Sequence, residues 1–158
     1  GADIKWVRKN SIHMTLKFLG NVADDGINDV KAAMDEAVGQ SKSFDMVLEG
    51  IGAFPKPSFP RVIWVGVEKG QTEAAEIAKI LEDTLEVLGF AKEDRPFRTH
   101  ITLGRVRSPK NKEALKDKVE TIKIEKPLLQ RVNSIILFKS DLTQQGPIYT
   151  KIHASPLP

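Results

Sequence analysis

The segment SIHMTLKFLG, which runs from residue 11 to residue 20, alternates apolar and polar side chains without a break. This period constrains the fold more than any other feature of the sequence. Successive side chains of a β-strand point to opposite faces, so the pattern predicts a strand with one buried face. The predicted core face carries Ile12, Met14, Leu16 and Phe18. His13 and Thr15 then share the open face of the same strand.

The rest of the chain mixes alternating segments with helical ones. Apolar residues at helical spacing predict helices over residues 27–39, 72–88 and 109–119. Alternating or continuous apolar runs predict strands at residues 4–7, 44–54, 61–67, 97–106, 121–125, 134–142 and 147–154. Short strands interleaved with amphipathic helices predict an α+β fold with largely antiparallel sheets packed against helices.

Composition narrows the class of protein without identifying it. The chain has 158 residues, 41% hydrophobic and 28% charged, which fits a single globular domain over residues 1–158. It has no cysteine, which excludes disulfides and thiolate metal sites and leads us to expect a reducing cytoplasm. No apolar run predicts a membrane span. The net charge of +3 is compatible with an anionic partner and equally with simple solubility.

A short motif occurs twice in the sequence. SIHMTL, beginning at Ser11, and RTHITL, beginning at Arg98, both place a His, one residue, a Thr and a Leu in a predicted strand. The chain contains only three His, so this duplication uses two of them. A single His on a strand is usually structural, but two copies of the motif favour a shared function for His13 and His100.

Two imidazoles are what the cleavage of a phosphate ester requires when no metal takes part. Imidazole titrates near neutrality, so one His can accept a proton from water while the other donates one. The Thr hydroxyls, Thr15 and Thr102, can donate to non-bridging phosphate oxygens. A metal site would need a third ligand, and no carboxylate is close to either His on its face. We therefore expect neither a metal nor a cofactor.

These segments resemble a known family. The two His-x-Thr motifs are typical of the 2H phosphoesterase superfamily. HMTLKFLG, GIGAFPKP followed by RVIWVGV, HITLGRV and GPIYT resemble its RNA 2′,3′-cyclic phosphodiesterase branch, also called the 2′–5′ RNA ligase or LigT-like family, in the same order. The resemblance implies a bilobal fold with two pseudo-symmetric antiparallel sheets, helices on the outside and a central cleft that holds both motifs.

The resemblance also implies a reaction. It is the hydrolysis of a 2′,3′-cyclic phosphate at an RNA end to a 2′-phosphomonoester, with His13 as proton donor and His100 as proton acceptor. Spacing alone does not distinguish the two roles. Two alternatives remain open: ATP-independent 2′–5′ joining of RNA ends at the same site, and a non-catalytic RNA-binding domain. The expected partner is RNA with cyclic phosphate ends, tRNA fragments among its sources, bound by a cytoplasmic monomer that takes part in RNA processing.

Other residues are candidates for substrate binding. Arg105 matches the family pattern HITLGR and can pair with phosphate, and Arg98 shares the predicted face of His100. Phe54 can stack on a base or plug the core. Tyr149 can reach the cleft or pack within its strand. Four cations, Arg95, Arg107, Lys110 and Lys112, make the surrounding segment the most basic of the chain; they can steer a polyanion or form a solvated surface.

The start of the chain departs from the family pattern. Members of the family normally have a strand and a helix before the first motif's strand pair, and this sequence lacks them. Because the chain begins with Gly1 rather than Met, we expect that these elements have been trimmed. None of the motif residues is affected.

Overall fold

A computed structural model describes residues 1–144 and 146–158, and in it the chain forms two compact units. The first unit comprises Gly1–Met14, Met46–Lys69 and Thr99–Gln130. The second unit comprises Thr15–Asp45, Gly70–Arg98 and Arg131–Pro158. Each unit is therefore assembled from three separate stretches of sequence.

The helices and strands follow one another in an irregular order typical of α+β proteins. In chain order they are β1 (Ile4–Trp6), α1 (Ile27–Gly39), β2 (Phe44–Lys56), β3 (Phe59–Lys69), α2 (Gln71–Glu86), β4 (His100–Val106), α3 (Lys112–Thr121), β5 (Leu128–Val132), β6 (Ser134–Thr143) and β7 (Gly146–Pro156). Two single 3₁₀ turns, at Lys9–Ser11 and Asp24–Gly26, complete the described secondary structure.

The first sheet has five strands in the order β1-β4-β3-β2-β5. The pairs β1–β4, β2–β3 and β3–β4 are all antiparallel. α3 covers one face of this sheet: Val119 is buried with Ala53 and Ile63, and Leu115 packs against them. Removing this apolar stripe from water favours the packing of α3 on the sheet.

The second unit contains α1, α2 and an antiparallel ribbon of β6 and β7. α1 packs against α2 and against β7. The buried side chains recur at helical spacing in both helices: Val30, Ala33, Met34, Ala37 and Val38 in α1, and Ala74, Ile77, Ala78, Leu81 and Leu85 in α2. None of the helices in the described residues is long and apolar enough to cross a bilayer.

The predicted fold class and most of the predicted elements are confirmed. The structure has two antiparallel sheets and helices, and each of the three predicted helices is present within three residues of its expected ends. Residues 121–125, predicted as a strand, form none, and β5 was not predicted. Its side chains are nearly all exposed, so it lacks the buried face that an alternating pattern would reveal.

The strand predicted over residues 11–20 was wrong. The structure assigns no strand there, and two of the four expected core residues, Ile12 and Phe18, are 46% and 72% exposed. Alternation specifies which side chains a strand would bury, but a strand also needs a neighbouring edge for its hydrogen bonds. The edge of β4 is paired with β1 instead.

Candidate functional site

An irregularity in β4 determines which side chains accompany His100. Trp64 pairs with Thr102 and Ile63 pairs with Gly104, so Leu103 is an extra residue, a β-bulge. Val62 pairs with Arg105, and Val62 and Trp64 share one face of β3. The bulge therefore brings Arg105 to the face that carries His100 and Thr102. Strict alternation in the sequence would have placed Arg105 on the opposite face.

Aromatic side chains border His100 on this face. The Phe54 ring meets the His100 ring edge-on, with centroids 5.0 Å apart, and lies 5.2 Å from the Trp64 ring. All three residues belong to the first unit. Trp64 Nε1 is buried and finds no hydrogen-bond partner among the described residues, so ring packing rather than a polar anchor holds this indole.

Two glycines allow the indole ring to lie close to the sheet. A Cβ atom on Gly52 would stand 2.7 Å from Trp64 Cε2, which is too close for any real side chain. A Cβ atom on Gly66 would stand 2.8 Å from the Glu49 carbonyl oxygen and 3.3 Å from Trp64 Cζ3. Both positions therefore require glycine for close approach, and together they fix the height of the Trp64 ring above the backbone.

His13 lies in an irregular segment that follows β1. Val7 N donates to Leu103 O at 2.8 Å where β1 leaves the sheet. β1 runs antiparallel to β4, so the chain that carries His13 departs in the direction of His100, the first residue of β4. His13 Nδ1 lies 2.8 Å from Ser11 O. A carbonyl oxygen can only accept, so Nδ1 donates this hydrogen bond and Nε2 takes no part in it.

Three of the predicted site residues, Thr15, Arg98 and Tyr149, belong to the second unit. Thr15 is half-buried, and Arg98 is exposed in the segment before β4 rather than in the strand predicted there. The Tyr149 ring packs edge-on against Phe138 across the β6–β7 ribbon, with centroids 5.9 Å apart.

Sequence reasoning missed a buried ion pair next to the first motif. Lys17 Nζ lies 2.7 Å from Glu82 Oε2 and donates to Ala91 O at 2.8 Å. Only 3% of the Lys17 side chain and 17% of the Glu82 side chain are exposed. Glu93 N donates to the same carboxylate oxygen at 3.2 Å. The segment that follows Thr15 is thereby fixed to α2, a contact that no local pattern reveals.

The third His has a structural partner. His153 Nε2 and Ser155 Oγ both donate to Asp35 Oδ1, at 2.8 and 2.6 Å, and so join β7 to α1. The hydrogen bond from Ser155, and after it the one from His153, holds the pKa of Asp35 below its usual range. Sequence analysis gave His153 no role, because its partner is 118 residues away in the chain.

Within the part of the chain that the structure describes, no group of three or more His, Asp or Glu side chains is placed to hold a metal ion.

Comparison with known proteins gives a consistent result across the chain. The family model described as "LigT like Phosphoesterase" matches residues 1–64 and 65–149. An "RNA 2′,3′-cyclic phosphodiesterase" of Methanocaldococcus jannaschii is 38% identical over 149 residues, which is 94% of this chain and 82% of the relative. A protein of the same name from Methanothermobacter thermautotrophicus is 32% identical over 94% of this chain and 80% of its own length.

Solved structures agree at the level of the fold. The crystal structure of the Thermus thermophilus protein TT0787 matches with a TM-score of 0.77 and 27% identity, over 98% of this chain and 82% of that one. Escherichia coli LigT complexed with 3′-AMP matches with a TM-score of 0.75 and 23% identity, over 97% of this chain and 80% of that one.

Proposed function

Because the chain belongs to the LigT-like phosphoesterase family, we propose that it hydrolyses 2′,3′-cyclic phosphates at RNA ends to 2′-phosphomonoesters. Several relatives that are at least 30% identical carry the name RNA 2′,3′-cyclic phosphodiesterase, which supports this substrate. The duplicated His-x-Thr motif supports an acid and a base that act on one phosphate.

In the proposed reaction His100 is the base and His13 is the acid. Neutral His100 accepts a proton from water as the water oxygen attacks phosphorus. The bond from phosphorus to the 3′ oxygen breaks, and protonated His13 gives its Nε2 proton to that oxygen. The product carries a 2′-phosphate and a 3′-hydroxyl. His13 is left neutral and His100 protonated, and exchange with solvent restores both.

The observation that carries the proposal is the composition of one face of the first sheet. His100, Thr102 and Arg105 share this face, which joins a base, a hydroxyl donor and a fixed positive charge. The base can activate water, and the hydroxyl and the cation can stabilise the negative charge that accumulates on the phosphate oxygens during the reaction. Thr102 and Thr15 are proposed to donate to non-bridging oxygens, and Arg105 is proposed to pair with the phosphate.

The aromatic pair beside His100 suggests how the nucleotide is oriented. Phe54 is proposed to stack on the base next to the cyclic phosphate, since an aromatic face accepts any base. Its contact with the His100 ring supports a binding position close to the reacting atoms. Arg98 and Tyr149 are proposed as further contacts to the RNA.

The proposed mechanism uses no metal and no cofactor, because two imidazoles supply both proton transfers. We further propose that the enzyme acts as a monomer in the cytoplasm, where RNA processing, including the cleavage of tRNA, produces cyclic phosphate ends.

A steady-state assay tests the proposal. Hydrolysis of a 2′,3′-cyclic nucleotide should proceed in excess chelator and give the 2′-phosphate alone. His13→Ala and His100→Ala should each lower kcat by a factor of about 10² to 10⁴, the usual contribution of a general acid or base. His153→Gln is the matched control, because it removes the third His, which pairs with Asp35 instead, and should keep full activity.

Three results would contradict the proposal. Loss of activity in chelator would reject the metal-free mechanism, and full activity in either motif variant would reject the assigned pair. RNA binding without any turnover would support a binding domain instead. An RNA substrate with both cyclic phosphate and 5′-hydroxyl ends also reveals end joining, since ligated products are longer than either substrate.

A further inference from the structure

A concave site lies in the first unit, on the sheet face that α3 covers. The cavity has a volume of about 270 Å³ and is lined by residues of β3, the end of β4, the loop that follows β4 and the start of α3. Its distinctive members are Phe59, Arg61, Arg107, Lys110 and Lys112, which we call the basic pocket. Leu115 and Val106 form its apolar base, continuous with the core beneath α3.

The cations of the basic pocket have no direct ion-pair partner among the described residues. The pocket carries four cations, and none of the described residues that line it is a carboxylate. Over residues 1–144 and 146–158, none of the four cations forms an ion pair. A concave surface lined by one sign of charge concentrates the field and attracts counter-ions.

An aromatic ring organises two of these cations. The Phe59 ring is 48% exposed, with Arg61 Cζ 5.3 Å and Lys112 Nζ 5.2 Å from its centroid. Cation–π contacts with this ring thus hold the side chains of Arg61 and Lys112 in place. An exposed aromatic ring among cations is a combination with which proteins bind single-stranded nucleic acid, because bases stack on the ring and phosphates pair with the cations.

The basic pocket is distinct from the candidate site. Val106 ends β4 whereas His100 begins it, a separation of roughly 20 Å along the strand. Val106 pairs with Ile4, whose side chain points to the same face as Gly104 and Ile63, opposite the face of His100. A ligand in the basic pocket therefore does not compete for the reacting phosphate.

The size of the basic pocket is compatible with one unit of a nucleic acid strand. A volume of about 270 Å³ is near the lower end of the range for pockets that bind small molecules. An open concavity of this size accommodates one base or phosphate of a longer chain that continues over the surface.

We propose that the basic pocket binds an RNA strand, with the phosphodiester backbone on Arg61, Arg107, Lys110 and Lys112 and one base against Phe59. The inference rests on the proposed function, because it takes RNA from the substrate proposed for the site at His100. It adds that the protein holds the body of the RNA at a second site and so favours oligonucleotides over cyclic mononucleotides.

Fluorescence anisotropy with a labelled RNA of roughly 12 nucleotides that ends in a 3′-hydroxyl tests the pocket without catalysis. Arg107→Gln/Lys110→Gln should weaken binding about tenfold and reduce the salt slope by about 1.4, since each lost phosphate contact contributes about 0.7 on a single strand. Phe59→Leu should weaken binding about fivefold or more through lost stacking. The matched control is Lys42→Gln/Lys151→Gln, which removes the same charge from exposed positions outside the pocket.

Hydrolysis assays separate this inference from the proposed function. The pocket variants should keep kcat/KM for a cyclic mononucleotide and raise KM for an oligonucleotide with a cyclic phosphate end. If the wild type hydrolyses neither substrate but the pocket variants lose RNA binding, the proposed function fails and the pocket assignment stands. Pocket variants that match the control in affinity and salt slope would overturn the assignment. Competition by poly-glutamate as effective as by unlabelled RNA would overturn it in favour of an acidic protein.

Discussion

At the scale of single residues, the position of Trp64 depends on the lack of a Cβ atom at Gly52. The indole ring lies over Gly52 and contacts Phe54, which in turn contacts His100. Protein interiors are packed densely enough that a displaced ring displaces its neighbours. The geometry of the proposed base is therefore linked to a glycine that carries no functional group.

Substitution of Gly52 by Ala should disturb this chain of contacts. The added methyl group would collide with Trp64, so the ring must move, at a cost of about 1–3 kcal/mol of stability. In a Trp6→Phe background, the remaining Trp64 fluorescence should shift, and kcat/KM should fall about 10-fold to 100-fold because small misplacements are costly in catalysis. Gly39→Ala is the control, since a Cβ there meets nothing within 4 Å. Unchanged fluorescence in Gly52→Ala would contradict this account.

At the scale of elements, α2 is more than a support for the core of the second unit. Its Glu82 side chain receives Lys17 from the segment after the first motif and the backbone of Glu93 from the segment after the helix. Both loops are irregular and lack ladder hydrogen bonds. One partly buried carboxylate on a regular helix thus orders two irregular segments.

Glu82→Gln should lower the free energy of unfolding by about 3 kcal/mol, because it leaves the buried Lys17 ammonium without its counter-charge. Asp83→Asn is the matched control on the same helix. Hydrogen bonds from Lys79 and Lys92 lower the pKa of Asp83 to about 2, but these two ion pairs are exposed and screened by solvent. Urea unfolding should therefore show a large shift for Glu82→Gln and little change for Asp83→Asn. Equal shifts would argue against the buried pair as an anchor.

The success of sequence analysis also differed between elements. The three helices were predictable because their apolar stripes lie within one continuous segment, as in α2. The segment around His13 was not, because strand formation depends on a partner that the local pattern does not contain. The motif made His13 and His100 candidates from the sequence alone, whereas the bulge at Leu103 and the ion pair of Lys17 arise from contacts between distant residues.

At the scale of the whole molecule, the free energy of unfolding should depend on pH through the Asp35 carboxyl group. Hydrogen bonds from Ser155 and His153 keep the pKa of Asp35 below its ordinary value of 3.8 in the folded protein. A carboxyl whose pKa is lower in the folded state stabilises the fold above its unfolded pKa, and this stabilisation is lost as the pH falls through the folded pKa. The hydrogen bonds of Asp35 with His153 and Ser155 join α1 to β7, so protonation of Asp35 should weaken the contact between these two elements.

Asp35→Asn should therefore be less stable than the wild type by about 1 kcal/mol at pH 6. The difference should shrink on acidification below pH 3.8, where the wild-type carboxyl also becomes neutral. Urea unfolding at pH 6 and at roughly pH 2–3 measures both values. Glu36→Gln, a neighbouring exposed carboxylate, should show no such pH-dependent difference. If the free energy of unfolding of Asp35→Asn is lower than that of the wild type by the same amount at both pH values, the charge of Asp35 is not involved.

The extra residue in β4 has a consequence for how such sequences are compared. Thr102 and Arg105 are three positions apart, an odd interval that would separate two side chains on a regular strand, yet here they face the same way. An odd interval between two residues of one strand whose side chains share a face thus indicates a β-bulge between them. Exchanging the order, through Gly104→Arg with Arg105→Gly, would keep composition and charge but direct the guanidinium toward Ile4 and Trp6. An alignment that shifts the chain by one residue at this point would lose the β-bulge that brings Arg105 to the face of His100.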